Sequence, residues 1–272
     1  MILKNNLYLV YILIGSFIFL TVYALEANGQ ENRGASYLVL EFMHVDNEQE
    51  TAYGETESFW RNIHQERVNA GDIIGWDLWW LRPGGENQGA QYLTVTIYDD
   101  PVEMMQGGNF MEHARNAYPD MSDEELMAEL DKGASTRDLA SRYYMARVGG
   151  VGSDYELEIG TVSSMDMMKV EFDNMTSYDI YEQTEMDVFM PWHEEAIQNG
   201  TKESWGLYRV MSPIGNATGF SHITFNMYNG WEQYFSGGMG GDSFSDDLLI
   251  ERGLQTRTME WSYLATLIDM VR

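Results

Sequence analysis

Two stretches decide the fold: His64–Trp76, HQERVNAGDIIGW, and His193–Trp205, HEEAIQNGTKESW. In each stretch a glutamate follows the histidine after two residues, a glycine after seven and a tryptophan after twelve. Val68 in the first stretch aligns with Ile197 in the second. Both stretches are typical of a helix that ends at the glycine and is followed by a buried strand. The same local structure is therefore predicted twice in this chain of 272 residues.

The match between the two halves extends well beyond these stretches and keeps its order along the chain. The further matched positions are Tyr53 and Tyr181, Glu57 and Glu185, Thr94–Tyr98 and Thr224–Tyr228, and the pairs Thr136-Arg137 and Thr256-Arg257. Such order is typical of a tandem duplication. We expect one repeat over residues 36–150 and a second over residues 160–272, with the glycine-rich segment 149–153 as the hinge between them.

Each repeat has the pattern strand, helix, strand, strand, helix, strand. This βαββαβ order predicts an α+β, ferredoxin-like unit, whose helices cover only one face of its sheet. Two such units can cover their bare faces by packing them together. We therefore expect two tandem ferredoxin-like units packed as a pseudo-dimeric α+β barrel, so that one monomer does what a homodimer does elsewhere.

At this point the chain resembles the dimeric α+β barrel superfamily. The resemblance is carried by the helix His64…Gly71 or His193…Gly200, the Trp-bearing strand after it and the Thr-rich strand that follows, and it covers roughly residues 36–270 as topology. That superfamily includes cofactor-free monooxygenases, isomerases and haem-using enzymes, so the resemblance implies a fold and a pocket rather than one reaction. Pro191-Trp-His-Glu-Glu195 also looks similar to a helix in uncharacterised exported bacterial proteins. The first repeat departs from that motif, with Arg61 or Asn62 at the proline position.

Residues 1–29 have the pattern of an export signal. Lys4 precedes an apolar run, and Ala27-Asn28-Gly29 supplies small residues for cleavage. The alternative is an uncleaved N-terminal anchor, because the run is nearly long enough to span a membrane. No second run of that length follows, so we expect no further membrane span. The absence of cysteine excludes disulfides and favours a periplasmic or secreted bacterial protein.

The net charge of −27 is large for this length. Phosphate backbones would be repelled, so nucleic acid is not an expected partner. A solvated acidic surface that favours solubility explains the charge more simply than a binding role.

The first helix of each repeat carries the most informative polar residues. In the first repeat Glu57, Trp60, His64 and Val68 lie on one helix face, and in the second Glu185, Phe189, His193 and Ile197 do. A histidine between an aromatic and an aliphatic residue is partly buried, and His64 and His193 are therefore the candidate catalytic residues, as acid, base or ligand. The alternative is a hydrogen-bonded core histidine without a chemical role.

Six further residues are candidates for ligand binding. Trp76 and Trp205 could line a flat apolar pocket, although core packing is the simpler explanation. Arg137 and Arg257 could bind a carboxylate of a ligand or form internal salt bridges, with Glu57 and Glu185 as the partners. No metal motif, nucleotide fingerprint or nucleophile motif is present, so we expect neither a metal nor a cofactor.

Two functions from different classes follow. The first is an exported protein that binds, and could transform, a small organic molecule in a barrel pocket, with the histidines at its polar centre. The second is a non-catalytic exported module that serves structure or protein interaction. A cavity that touches both a histidine and an arginine would favour the first function.

Overall fold

The computed structural model describes residues 36–46, 48–82, 85, 87–171, 175–237 and 251–272. In the first half these are the strands β1 (Tyr37–His44), β2 (Gly75–Arg82), β3 (Tyr92–Tyr98) and β4 (Asp138–Val151), and the helices α1 (Glu50–Ala70), α2 (Pro101–Gln106), α3 (Phe110–Ala117) and α4 (Asp123–Ala134). In the second half they are β5 (Val162–Lys169), β6 (Ser204–Ser212), β7 (His222–Tyr228) and β8 (Thr258–Val271), with α5 (Met175–Thr184), a π-helical turn (Glu185–Phe189), α6 (Met190–Gln198) and α7 (Trp231–Ser236). The predicted signal peptide, residues 1–29, lies outside the described residues.

The eight strands form a closed antiparallel barrel in the order β1-β3-β2-β8-β5-β7-β6-β4. Each half contributes a four-stranded sheet in the ferredoxin-like order, β4-β1-β3-β2 and β8-β5-β7-β6. The halves join where β2 pairs with β8 and where β4 pairs with β6. A half-turn about the barrel axis maps each strand onto its counterpart, β1 onto β5. The predicted pseudo-dimeric α+β barrel is therefore confirmed.

Two layers of apolar side chains hold this architecture together. The barrel interior contains Leu40, Trp79, Met145, Phe225 and Leu267, all buried. Outside the barrel, the helices of the first half pack on a cluster around Trp76, and those of the second half pack on a cluster around Trp205. The alternation of β2 explains this division, because Trp76 and Trp79 lie on opposite faces of the sheet.

A π-helical turn in the second repeat accommodates one residue that the first repeat lacks. The spacing between matched residues is 128 at Glu57 and Glu185 but 129 at His64 and His193, so the second repeat has one extra residue between them. A π-turn is the way in which an α-helix accommodates one inserted residue. The turn lies at Glu185–Phe189, in this interval. Both repeats therefore keep the glutamate and the histidine buried.

The structure also differs from the sequence-based expectations. Helices α2 and α3 were not predicted. Helix α2 is short, and the side chain of its N-cap residue Asp100 accepts hydrogen bonds from two main-chain amides. The segment 149–153 is not a free hinge, because Gly149 and Gly150 lie within β4 and pair with β6. The predicted helix stop at Gly71 is confirmed. Helix α4 begins with a capping box between Ser122 and Glu125. Among the described residues, no helix combines the length and apolarity needed to cross a membrane.

Candidate functional site

His64 and His193 lie between a helix and the outer face of the barrel sheet. The ring of His64 stacks on Trp76 at 5.1 Å between centroids, and the ring of His193 stacks on Trp205 at 4.7 Å. All four rings are buried. The structure therefore brings together the predicted histidine and tryptophan in each repeat.

A basic side chain donates to Nδ1 of each histidine. Arg67 Nη1 lies 3.2 Å from Nδ1 of His64, and Lys202 Nζ lies 2.8 Å from Nδ1 of His193. Burial and the neighbouring cation lower the pKa of His64 to about 3 and that of His193 to about 2. Both imidazoles are therefore neutral near pH 7 with Nδ1 as an occupied acceptor, which is a poor arrangement for a general base at that nitrogen.

Glu57 and Glu185 form buried ion pairs with the predicted arginines. Nε of Arg137 lies 3.4 Å from Oε1 of Glu57, and Nη2 of Arg257 lies 3.0 Å from Oε1 of Glu185. Burial raises the pKa of each glutamate to about 7, although the arginine partly offsets this effect. These arginines thus have an internal partner, which was one of the two alternatives for them.

The Thr-Arg pairs also have a local structural role. The hydroxyl groups of Thr136 and Thr256 donate to a glycine carbonyl three residues earlier, and Arg137 and Arg257 donate to the same carbonyls. Each pair therefore closes the turn into the last strand of its repeat while it directs the guanidinium towards the buried glutamate.

A large cavity lies elsewhere, at one end of the barrel. Its volume is about 730 Å³. Its apolar wall includes Leu38, Trp79, Val95, Phe225 and Met227. The segment from Gly152 to Leu157, which links the two halves, also borders it. Of the predicted site residues only Trp205 lines this cavity, so neither histidine is its polar centre.

The charged and aromatic polar side chains of this barrel-end cavity include Asp77, Arg147, Glu156, Tyr208 and Arg272. Asp77 is buried, and burial raises its pKa although Arg272 lies only 2.7 Å away and opposes the shift. The guanidinium of Arg147 is half-buried and makes neither an ion pair nor a hydrogen bond with another part of the chain that the structure describes. A cation with no ionic partner among the described residues therefore borders an apolar cavity, in a protein whose net charge is −27.

The match between the two repeats does not predict these residues. Asp77 aligns with Gly206 in the second repeat, so it has no duplicated counterpart. One signal was present, because Asp77 is a lone acid within the run Gly75–Leu81, which is otherwise apolar and aromatic. Such a buried charge requires a partner, and that requirement points towards a cation from a neighbouring strand.

The described residues contain no group of three or more histidine, aspartate or glutamate side chains that could hold a metal ion. The candidate site is therefore the barrel-end cavity, with its apolar wall and the Arg147 guanidinium.

Solved structures share this architecture at very low sequence identity. A proposed monooxygenase from Fusobacterium nucleatum subsp. nucleatum is 11% identical, with a TM-score of 0.51 over 88% of this chain and 95% of that chain. A proposed monooxygenase from Lactobacillus acidophilus is 8% identical, with a TM-score of 0.50 over 87% of this chain and 96% of that chain. No family model matches the sequence, and no curated protein does. These likenesses establish the dimeric α+β barrel fold.

Proposed function

We propose that this chain is an exported protein that binds a small organic anion in the barrel-end cavity. The observation that carries the proposal is the Arg147 guanidinium, which lies beside an apolar wall and has no side-chain partner in the described part of the chain. A carboxylate is the natural partner for such a group, since charge-assisted hydrogen bonds to a guanidinium are about twice as strong as neutral ones.

The size and lining of the cavity suit a flat, largely apolar molecule. Its volume of about 730 Å³ lies in the range of ordinary small-molecule sites. Trp79, Phe225 and Met227 would contact the apolar body, while Arg147 would fix the orientation of the anionic group. Asp77 does not compete for Arg147, because Arg272 already neutralises it.

Three naphthalene derivatives of similar size test this proposal: 1-naphthoate, 1-naphthalenemethanol and 1-naphthylmethylamine. Binding is followed by tryptophan fluorescence, because Trp79 and Trp205 border the cavity, and by thermal shift. We expect the carboxylate to bind most tightly. Arg147→Gln should weaken carboxylate binding about 10- to 100-fold, the equivalent of one charged hydrogen bond, and should leave the alcohol nearly unchanged.

Arg115→Gln is the matched control, since Arg115 is exposed and pairs with Asp123 away from the cavity. Arg115→Gln should change neither the affinity for the carboxylate nor that for the alcohol. Equal binding of all three compounds, with no effect of Arg147→Gln, would contradict the proposal. No binding of any compound at millimolar concentration would support the alternative of a non-catalytic module. Export is tested separately, by locating the chain and by sequencing its mature N-terminus, which should follow Gly29.

A further inference from the structure

A second pocket lies beside the second repeat's histidine, outside the barrel. Its volume is about 320 Å³, and its lining includes Lys202, Tyr228, Tyr234 and Phe235. Lys202 is only 5% exposed as a residue, and it lies in the loop that leads from α6 to β6. An amine is therefore held at the wall of a small aromatic pocket.

The contacts of Lys202 match a neutral amine better than an ammonium ion. Nζ donates to Nδ1 of His193 at 2.8 Å and to Oδ1 of Asn226 at 2.7 Å. A neutral amine has two hydrogens and one lone pair, so these two acceptors satisfy both hydrogens and leave the lone pair free. An ammonium ion has a third hydrogen, for which the described residues offer no oxygen or nitrogen acceptor and only the ring of Tyr228, whose centroid lies 5.6 Å from Nζ.

The charges around Lys202 also favour the neutral amine. No carboxylate among the described residues lies within ion-pair distance of Nζ. Asp166 on β5 is the acid whose charge raises the pKa of Lys202, and it accepts hydrogen bonds from Ser164, Ser262 and the amide of Asn226. The other ionisable groups that face the amine are His193, which is neutral, and Tyr228, whose pKa is raised to about 12 by burial. Burial lowers the pKa of Lys202 to about 8, although Asp166 opposes the shift.

The first repeat lacks this chemistry. There the cation beside the histidine is Arg67, which donates to Nδ1 of His64 and to the hydroxyl of Tyr98. Ile73 occupies the position that aligns with Lys202. An arginine remains protonated in proteins and cannot act as an amine nucleophile.

We propose that Lys202 is a reactive amine that captures a small aromatic aldehyde or ketone as a Schiff base in this pocket. The Nζ lone pair attacks the carbonyl carbon, and the carbonyl π electrons move to oxygen. A proton passes from nitrogen to that oxygen to give a carbinolamine. Loss of water then forms the C=N bond, so the step needs neither an oxidant nor a reductant. Tyr228, Tyr234 and Phe235 would contact the ring of the captured molecule.

Reductive trapping with benzaldehyde and cyanoborohydride at pH 7 tests this proposal on the full chain. The chain has only four lysines, so peptide mass spectrometry can follow each of them. We expect Lys202 to be labelled about tenfold faster than Lys132, which is exposed, because a lowered pKa increases the fraction of reactive amine. Labelling at Lys202 should level off above about pH 8, well below the plateau of a free lysine derivative.

Two controls make the result decisive. Lys202→Arg keeps a cation beside His193 but should abolish the trapped adduct in that peptide. Unfolding in urea should remove the preference for Lys202 over Lys132. Saturation of the barrel-end cavity with 1-naphthoate should not slow the labelling, so this result is independent of the proposed function. Labelling of Lys202 in the folded protein that is no faster than that of Lys132 would overturn the proposal.

Discussion

Nδ1 of His193 accepts a hydrogen bond from Nζ of Lys202 at 2.8 Å, and the two residues come from different elements. In the first repeat the corresponding donor to His64 is Arg67, from the same helix as the histidine. The two repeats therefore keep the interaction, a neutral stacked histidine that accepts from a buried basic side chain, while they change the residue that donates to it.

The first prediction concerns the structural role of these histidines. His64→Phe keeps a ring on Trp76 but removes the acceptor for Arg67, which leaves a buried donor unsatisfied. We expect a loss of about 1–3 kcal/mol in the free energy of unfolding, measured by urea denaturation. Affinity for 1-naphthoate should stay unchanged, because His64 does not line the barrel-end cavity.

A double-mutant cycle with Arg67→Met is the control for this prediction. Once the histidine is replaced, the arginine should contribute less, so the two losses should not add. Additive losses would show that the hydrogen bond is not the source of the effect. A loss of 1-naphthoate binding in His64→Phe would instead return the histidine to the role of a binding residue.

The second prediction concerns the buried glutamates. Burial raises the pKa of Glu57 to about 7 in the folded chain, above its ordinary value near 4.5. The folded state therefore holds more protons than the unfolded state between about pH 4.5 and 7, and this group's contribution to stability falls as the pH rises through that window. The stability of the wild type relative to Glu57→Gln should fall by about 3 kcal/mol at most from pH 4.5 to 8.

Glu185→Gln should behave in the same way, because the pKa of Glu185 is also raised to about 7 by burial. Urea denaturation at several pH values measures both differences. If the wild type instead became more stable relative to the variant as the pH rises, the prediction would be contradicted. That result would mean that the arginine outweighs burial.

The third prediction concerns His64, whose contribution to stability falls as the pH falls rather than as it rises. Burial lowers the pKa of His64 to about 3 in the folded chain. Below about pH 6.5 the unfolded state therefore binds a proton that the folded state excludes, and stability is lost as the pH falls from 6.5 towards 3. His64→Phe should remove this dependence, so its deficit relative to the wild type should shrink in acid. A deficit that is constant from pH 7 to 4 would refute the neutral, buried histidine.

The fold was predictable because the two matching halves of the sequence indicate twice which positions are buried. The shared spacing of His64, Gly71 and Trp76 with His193, Gly200 and Trp205 marks a helix end and a buried strand in each half. The same comparison indicated the buried partners of Arg137 and Arg257. It could not reveal Arg147 or Asp77, because barrel closure brings β2, β4 and β8 together at positions that differ between the repeats. The amine environment of Lys202 also depends on residues far apart in sequence, such as Asn226.

The last prediction concerns the seam where β4 meets β6. Gly150 lies opposite Gly206, and a Cβ at position 150 would collide with the main-chain carbonyl oxygen of Trp205 and lie 3.0 Å from Nη2 of Arg147. Gly150→Ala should therefore cost about 1–3 kcal/mol through strain in the barrel wall. It should also weaken binding of 1-naphthoate, because it displaces the Arg147 guanidinium.

Gly54→Ala is the matched control, since that helix position has open space for a methyl group. It should stabilise the chain by about 0.5–1 kcal/mol, as alanine does in place of glycine within helices. Urea denaturation and fluorescence titration of both variants measure these effects. If Gly150→Ala were as stable as the wild type and bound 1-naphthoate equally well, the close approach of β4 and β6 at this seam would be refuted.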